Sequence, residues 1–134
     1  MEKTLEEKVV TYQLLQRYLE GLGEQLNLLQ NRLLELNSTQ QALQDFLEMK
    51  EGKETFVNLG SGCWVMTRLE KPETVLLNLG AGIFARRKVE RAREMLSERA
   101  RLLEKEIEKL QTDMALVSKK LSEMGREIEG SLQA

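Results

Sequence analysis

Covalent chemistry needs side chains that attack, shuttle protons or hold metals, and this 134-residue sequence offers few of them. It has no histidine and a single cysteine, Cys63. The commonest general base and metal ligand is therefore missing. Cys63 sits in a run of strand-forming residues and reads as packed rather than nucleophilic. Gly60-Ser61-Gly62 and Gly80-Ala81-Gly82 suggest phosphate-cradling loops, yet both lack the third glycine and open strands instead of helices. No Walker lysine motif points to ATP. Arg86, Arg87, Lys88, Arg91, Arg93, Arg99 and Arg101 form a basic run, but Glu90, Glu94, Glu98 and Glu104 interleave it and no aromatic stacking platform accompanies it. It reads as a solvated, salt-bridged helix face with capacity for subunit contact. The sequence thus points away from an enzyme, a metal site, a cofactor and nucleic acid, and toward non-covalent recognition.

The composition says what must position such surfaces. Charged residues make up 31% of the chain, yet 20 Lys+Arg against 22 Asp+Glu leave a net charge of −2. There are 25 leucines against three Phe, two Tyr, one Trp and one Pro, the make-up of long helices. One cysteine allows no intrachain disulfide. The first residues, Met1 to Lys8, are charged and lack the apolar stretch of a secretion signal. No apolar run approaches the ~20 residues needed to cross a bilayer. The expectation is a single elongated cytoplasmic subunit, away from membranes.

Glycine and proline divide the chain into residues 1–52, 53–87 and 88–134, because Pro72 and five of the nine glycines lie between positions 52 and 82. In the first part Leu5, Tyr12, Leu19, Leu26, Leu33, Gln40 and Leu47 recur every seven residues. Leu15, Leu22, Leu29, Leu36 and Leu43 follow three residues after members of that series. This is a coiled-coil seam, with Gln40 as a polar register-setting interruption. Gly21 and Gly23 fall at outward positions, and Gly52 suits the left-handed residue that ends a helix. The third part repeats the pattern through Ala100, Ile107, Met114, Leu121 and Ile128, with Leu96, Leu103, Leu110, Val117 and Met124. Helices are predicted over about 5–50 and 89–132. Arms of matched length read as an antiparallel coiled-coil hairpin with both chain ends at one tip.

The middle part changes period. Residues 55–59, 63–69, 74–79 and 83–87 are short runs rich in β-branched and aromatic residues, separated by glycine turns and Lys71-Pro72. Asn58-Leu59-Gly60-Ser61-Gly62-Cys63-Trp64 aligns with Asn78-Leu79-Gly80-Ala81-Gly82-Ile83-Phe84, so two tandem β-hairpins are predicted. Hairpins of this size cannot bury enough apolar surface to stand alone. Phe56, Val57, Leu59, Trp64, Val65, Met66, Val75, Leu77, Leu79, Ile83 and Phe84 are therefore expected to pair with other subunits. The fold class is α+β: a long two-helix coiled-coil hairpin with two β-hairpins between its arms.

This arrangement resembles the prefoldin family, and its alpha-type subunit in particular, which has two hairpins where the beta type has one. The residues carrying the likeness are Val57-Asn58-Leu59-Gly60-Ser61-Gly62 and Val75-Leu76-Leu77-Asn78-Leu79-Gly80-Ala81-Gly82-Ile83-Phe84. The chain departs from the family pattern at Ala85-Arg86-Arg87 and at Cys63-Trp64. The resemblance implies a heterohexamer of two alpha-type and four beta-type subunits, with hairpins closing an inter-subunit β-barrel and six coiled coils projecting from it. It also implies ATP-independent binding of unfolded polypeptides at the coiled-coil tips and their transfer to a group II chaperonin. On that reading Leu5, Val9, Tyr12, Met124, Ile128 and Leu132 are the client-binding residues. Helix ends fray, and methionine repacks against varied partners. The alternative is a scaffolding coiled-coil subunit of a prefoldin-like assembly with specific partners.

Overall fold

The computed structural model describes residues 4–133, in the order α1 (Leu5–Glu48), β1 (Lys53–Gly60), β2 (Cys63–Leu69), β3 (Thr74–Gly80), β4 (Ile83–Lys88) and α2 (Val89–Gln133). Helix α1 starts where its sequence provides a cap. The Thr4 hydroxyl accepts a hydrogen bond from the Glu7 amide at 3.2 Å, and Glu6 and Glu7 place negative charge in the first turn. After Glu48 the chain turns through Gly52, whose φ is +74°.

Two compact units result, one made of residues up to Leu34 with those from Arg101 onward, the other Glu35–Ala100. In the first unit Leu22, Leu29, Ile107 and Leu110 form a buried cluster, flanked by Leu26, Leu33, Leu103, Met114 and Val117. The helices run antiparallel there. Tyr12 lies against Gly125 and Met114 against Gly23, so eleven residues forward on α1 match eleven back on α2. Gly23 thus faces α2, contrary to the outward position expected of it. A Cβ there would lie 3.8 Å from the Met114 methyl, an ordinary contact. Gly21 faces open space, as expected.

Both helices also run through the second unit and are antiparallel there. Gln40 Nε2 donates to Ser97 Oγ at 2.8 Å, and Arg93 donates to Gln44 Oε1 at 2.6 Å. In the two units together, every seam residue named from the heptads is buried or half-buried except Leu5.

The hairpins are separate two-stranded antiparallel sheets, β1-β2 and β3-β4, and no barrel closes within the chain. Their turns are copies of one another. The pairing slips between Asn58 and Gly60 and again between Asn78 and Gly80, leaving Leu59 and Leu79 in β-bulges. Asn58 Oδ1 accepts the Gly60 amide at 2.8 Å, and Asn78 Oδ1 accepts that of Gly80 at 2.9 Å. Beyond each bulge, Ser61-Gly62 and Ala81-Gly82 hold positive φ at both residues (+52° and +78°, +51° and +74°), the pattern of a type I′ turn. That turn twists with the strands, which is why so short a connection closes the hairpin.

Candidate functional site

Two surfaces remain to be built from these elements: the open end of the first unit and the faces of the hairpins. At the open end Leu5 and Leu132 are exposed, at 37% and 70% of their maximal area. Val9, Tyr12 and Ile128 are half-buried, and Met124 is buried beside the Tyr12–Gly125 contact. The six residues expected there therefore grade from core to surface. The Thr4 cap opposes fraying at the start of α1, so the exposed apolar area here exists in the folded helix and does not depend on melting.

An exposed strip on α1 was missed by the heptad reading. Val10, Leu14 and Tyr18 stand four residues apart, which places them on neighbouring turns, and all three are more than half exposed. Leu116 of α2 is exposed in the same unit. Apolar residues recurring at a four-residue step off the seam were the signal available in the sequence.

Each hairpin has two unlike faces, set by the alternation of side chains along a strand. In β1-β2 the outward face pairs Phe56 with Met66, Asn58 with Trp64 and Glu54 with Arg68. Phe56, Trp64 and Met66 are all exposed, Phe56 at 63%. On the other face Thr55, Thr67 and Leu69 are half-buried, while Val57 and Val65 are exposed. Thr55, Leu69 and Lys53 border a groove of 260 Å³ with Ala42, Asp45, Phe46 and Met49 of α1.

In β3-β4 the covered face carries Leu77 and Val75, paired with Ala85 and Arg87. Leu77 is buried and Val75 half-buried, so both lie on the side already covered within the chain. The outward face carries Leu76, Phe84 and Arg86, with Leu79 and Ile83 exposed at the turn. Leu76, the most open of the apolar residues there at 68%, was absent from the expected set. Cys63 was expected to be packed; it is exposed at the start of β2, because none of the described residues covers that end of the hairpin.

The basic run is largely spoken for. Arg91 pairs with Glu94 at 3.1 Å, Arg93 bonds Gln44, and Arg87 donates to the Arg86 carbonyl at 2.9 Å. Arg99 reaches the backbone carbonyl of Asn78 at 2.7 Å. The Arg91–Glu94 pair is part of the salt-bridged face expected of this run, while Arg93 and Arg99 in addition tie α2 to α1 and to the β3-β4 turn within the second unit. Among the described residues no three His, Cys, Asp or Glu side chains are grouped to hold a metal ion, and no helix is long and apolar enough to cross a membrane.

Comparison with known proteins agrees with this arrangement. The family model described as prefoldin subunit matches residues 15–134. The prefoldin alpha subunit of Thermofilum pendens is 26% identical over 133 residues, covering 99% of this chain and 100% of that one. The alpha subunit of Methanosarcina barkeri is 31% identical over 119 residues, covering 84% and 81%. A cryo-EM structure of filamentous PFD from Methanocaldococcus jannaschii superposes with a TM-score of 0.57 at 26% identity, covering 96% of this chain and 98% of that one. With two β-hairpins set between two long helices, and with alpha subunits from Thermofilum pendens and Methanosarcina barkeri among its relatives, the chain belongs to the prefoldin family of chaperone subunits, which assemble into oligomers with one another.

Proposed function

We propose that this chain is the alpha-type subunit of an ATP-independent holdase. It contacts non-native polypeptides through the apolar end of the first unit and passes them to a group II chaperonin in the cytoplasm. The observation that carries this reading is the graded apolar end, where exposed Leu5 and Leu132 adjoin half-buried Val9, Tyr12 and Ile128. Such a surface gives weak, adaptable contacts, roughly 1.5–3 kcal/mol for a large side chain fully buried. Several copies acting together raise the effective affinity without a tight site on any one. The exposed outward faces of β1-β2 and β3-β4 support assembly, with hairpins from two alpha-type and four beta-type subunits closing a shared barrel.

The test is light scattering from a guest protein diluted out of denaturant, with and without the complex formed with a beta-type subunit. Suppressed aggregation is the expected result. Removing residues 1–12 and 124–134 should abolish suppression while native mass measurement still finds the hexamer. Scattering that the intact complex leaves unchanged would reduce the chain to a scaffolding subunit.

A further inference from the structure

One side of the helix pair in the first unit carries a row of exposed leucines. Leu14, Gly21 and Leu28 of α1 recur every seven residues, each two places after a seam residue (Tyr12, Leu19 and Leu26). Leu102 and Leu116 of α2 stand two places after Ala100 and Met114 in the same way. Heptad spacing keeps such positions in a line along each helix. In an antiparallel pair the equivalent heptad positions of both helices fall on one side, because the approximate two-fold axis relating the helices passes through that side. The four leucines are all more than half exposed, and so is Tyr18 beside them. At the same levels the other side of α1 carries Gln13, Glu20 and Asn27.

Gly21 lies in the middle of this row. A glycine inside a helix costs stability, and packing among the described residues does not call for one: a Cβ there would meet no atom within 4 Å. Close approach of another backbone from outside does call for one.

The row is also symmetric about that glycine. Leu14 and Leu28 lie seven residues to either side of it. On α2 the residue level with Gly21 is Leu116, by the same matching that sets Tyr12 against Gly125 and Gly23 against Met114. Seven residues to either side of Leu116 stand Lys109 and Glu123, which are exposed and in no ion pair among the described residues.

We propose that this side of the first unit is an interface with a second copy of the chain, laid antiparallel across it about a two-fold axis at Gly21 and Leu116. Leu14 then meets Leu28 of the partner subunit, and Leu116 packs on its own counterpart. Gly21 lets the two α1 backbones approach, and Lys109 faces the partner's Glu123. A parallel second copy fits worse. It would lay Leu14 on Glu123 of the partner subunit and Leu28 on the partner's Lys109, burying charge against leucine. The surface is separate from the hairpins, so it joins two assemblies instead of building one.

The experiment uses the full chain with Cys63→Ser, so that one introduced cysteine is the only thiol, and follows cross-linking between chains by a short bismaleimide. Leu116→Cys, on the axis, should cross-link at least about fivefold faster than Leu102→Cys, which lies on the same row but about 42 Å from its counterpart. Adding Lys109→Glu to the Leu116→Cys chain should slow cross-linking about fivefold, and adding Glu123→Lys as well should restore it to within about twofold. Positions 109 and 123 are about 21 Å apart on one helix, so that rescue can only act between chains. Gly21→Gln should slow cross-linking about fivefold while its thermal melt is no lower than the parent's, because glutamine is the better helix former. Association through the hairpins is common to all these chains and cancels in the comparison. Circular dichroism checks that the helices persist. Cross-linking at 116 no faster than at 102, a charge swap that does not restore the rate, or Gly21→Gln cross-linking as fast as its parent would each overturn the antiparallel interface.

Discussion

The guanidinium of Arg99 donates to the backbone carbonyl of Asn78 at 2.7 Å, while the Asn78 side chain accepts the amide of Gly80. One residue thus closes the β3-β4 turn with its side chain and fastens that turn to α2 with its backbone. β1-β2 closes its own turn with the matching bond from the Gly60 amide to Asn58 Oδ1, and it is the β3-β4 turn that Arg99 fastens. Arg99→Ala should therefore loosen β3-β4 selectively. The expected loss is about 1 kcal/mol, typical of a hydrogen bond to a charged group discounted for its partial exposure. Urea denaturation gives the total, and amide exchange should quicken at Leu79–Gly82 but not at Leu59–Gly62. Equal exchange in both turns would show that Arg99 does not hold the hairpin.

Gln40 is the polar member of the α1 seam, and its partner Ser97 is exposed. Replacing it with leucine extends the apolar seam and strands no buried group. Gln40→Leu should raise stability by about 1 kcal/mol, since polar residues at such positions fix register at a cost in stability. The accompanying loss is in specificity, visible as a second species when cysteines are introduced at 44 and 93 and cross-linked. A single cross-linked product with no gain in stability would count against a register role.

Ala81 holds a left-handed φ of +51° that its Cβ disfavours, and it is exposed. Ala81→Asn should stabilise the hairpin by about 0.5–1 kcal/mol, because asparagine tolerates this conformation and is favoured in type I′ turns. Gly82→Val should destabilise by about 1–2 kcal/mol through the strain of a β-branched residue at positive φ. Thermal melts of the two variants should move in opposite directions.

Val10, Leu14 and Tyr18 form an exposed strip whose loss leaves the buried seam intact. Changing all three to serine should alter folding stability little, because exposed substitutions usually act within about 0.5 kcal/mol each. If the strip extends the client surface, suppression of guest aggregation by the assembled complex should fall by about half or more, with each weak contact multiplied over several copies. Full suppression would confine the client surface to the six residues at the open end.

Much of this architecture is legible in the sequence. The helices were visible because the seven-residue leucine spacing has no other use in a chain with so little aromatic content. The strands were visible because glycine pairs punctuate them, and Asn58 and Asn78 sit where the turn needs an acceptor. What stayed hidden depended on which face the fold covers. Leu77 and Leu76 are adjacent and equally apolar, yet only Leu77 is buried. That choice is made by how β3-β4 lies in the second unit, which alternation alone does not reveal. Cys63 and Gly23 were misjudged for the same reason: one borders an end that nothing covers, the other meets Met114 across the helix pair. The Val10 strip escaped notice because a seam explains so many leucines that an off-seam apolar line attracts little attention.

The duplicated hairpin has a further consequence. Two modules with the same closure and different side chains give the chain a leading and a trailing connector. In a ring that engaged both, the chain would sit between two different neighbours, one at each hairpin. Sequence order along this polypeptide would then become neighbour order around the ring.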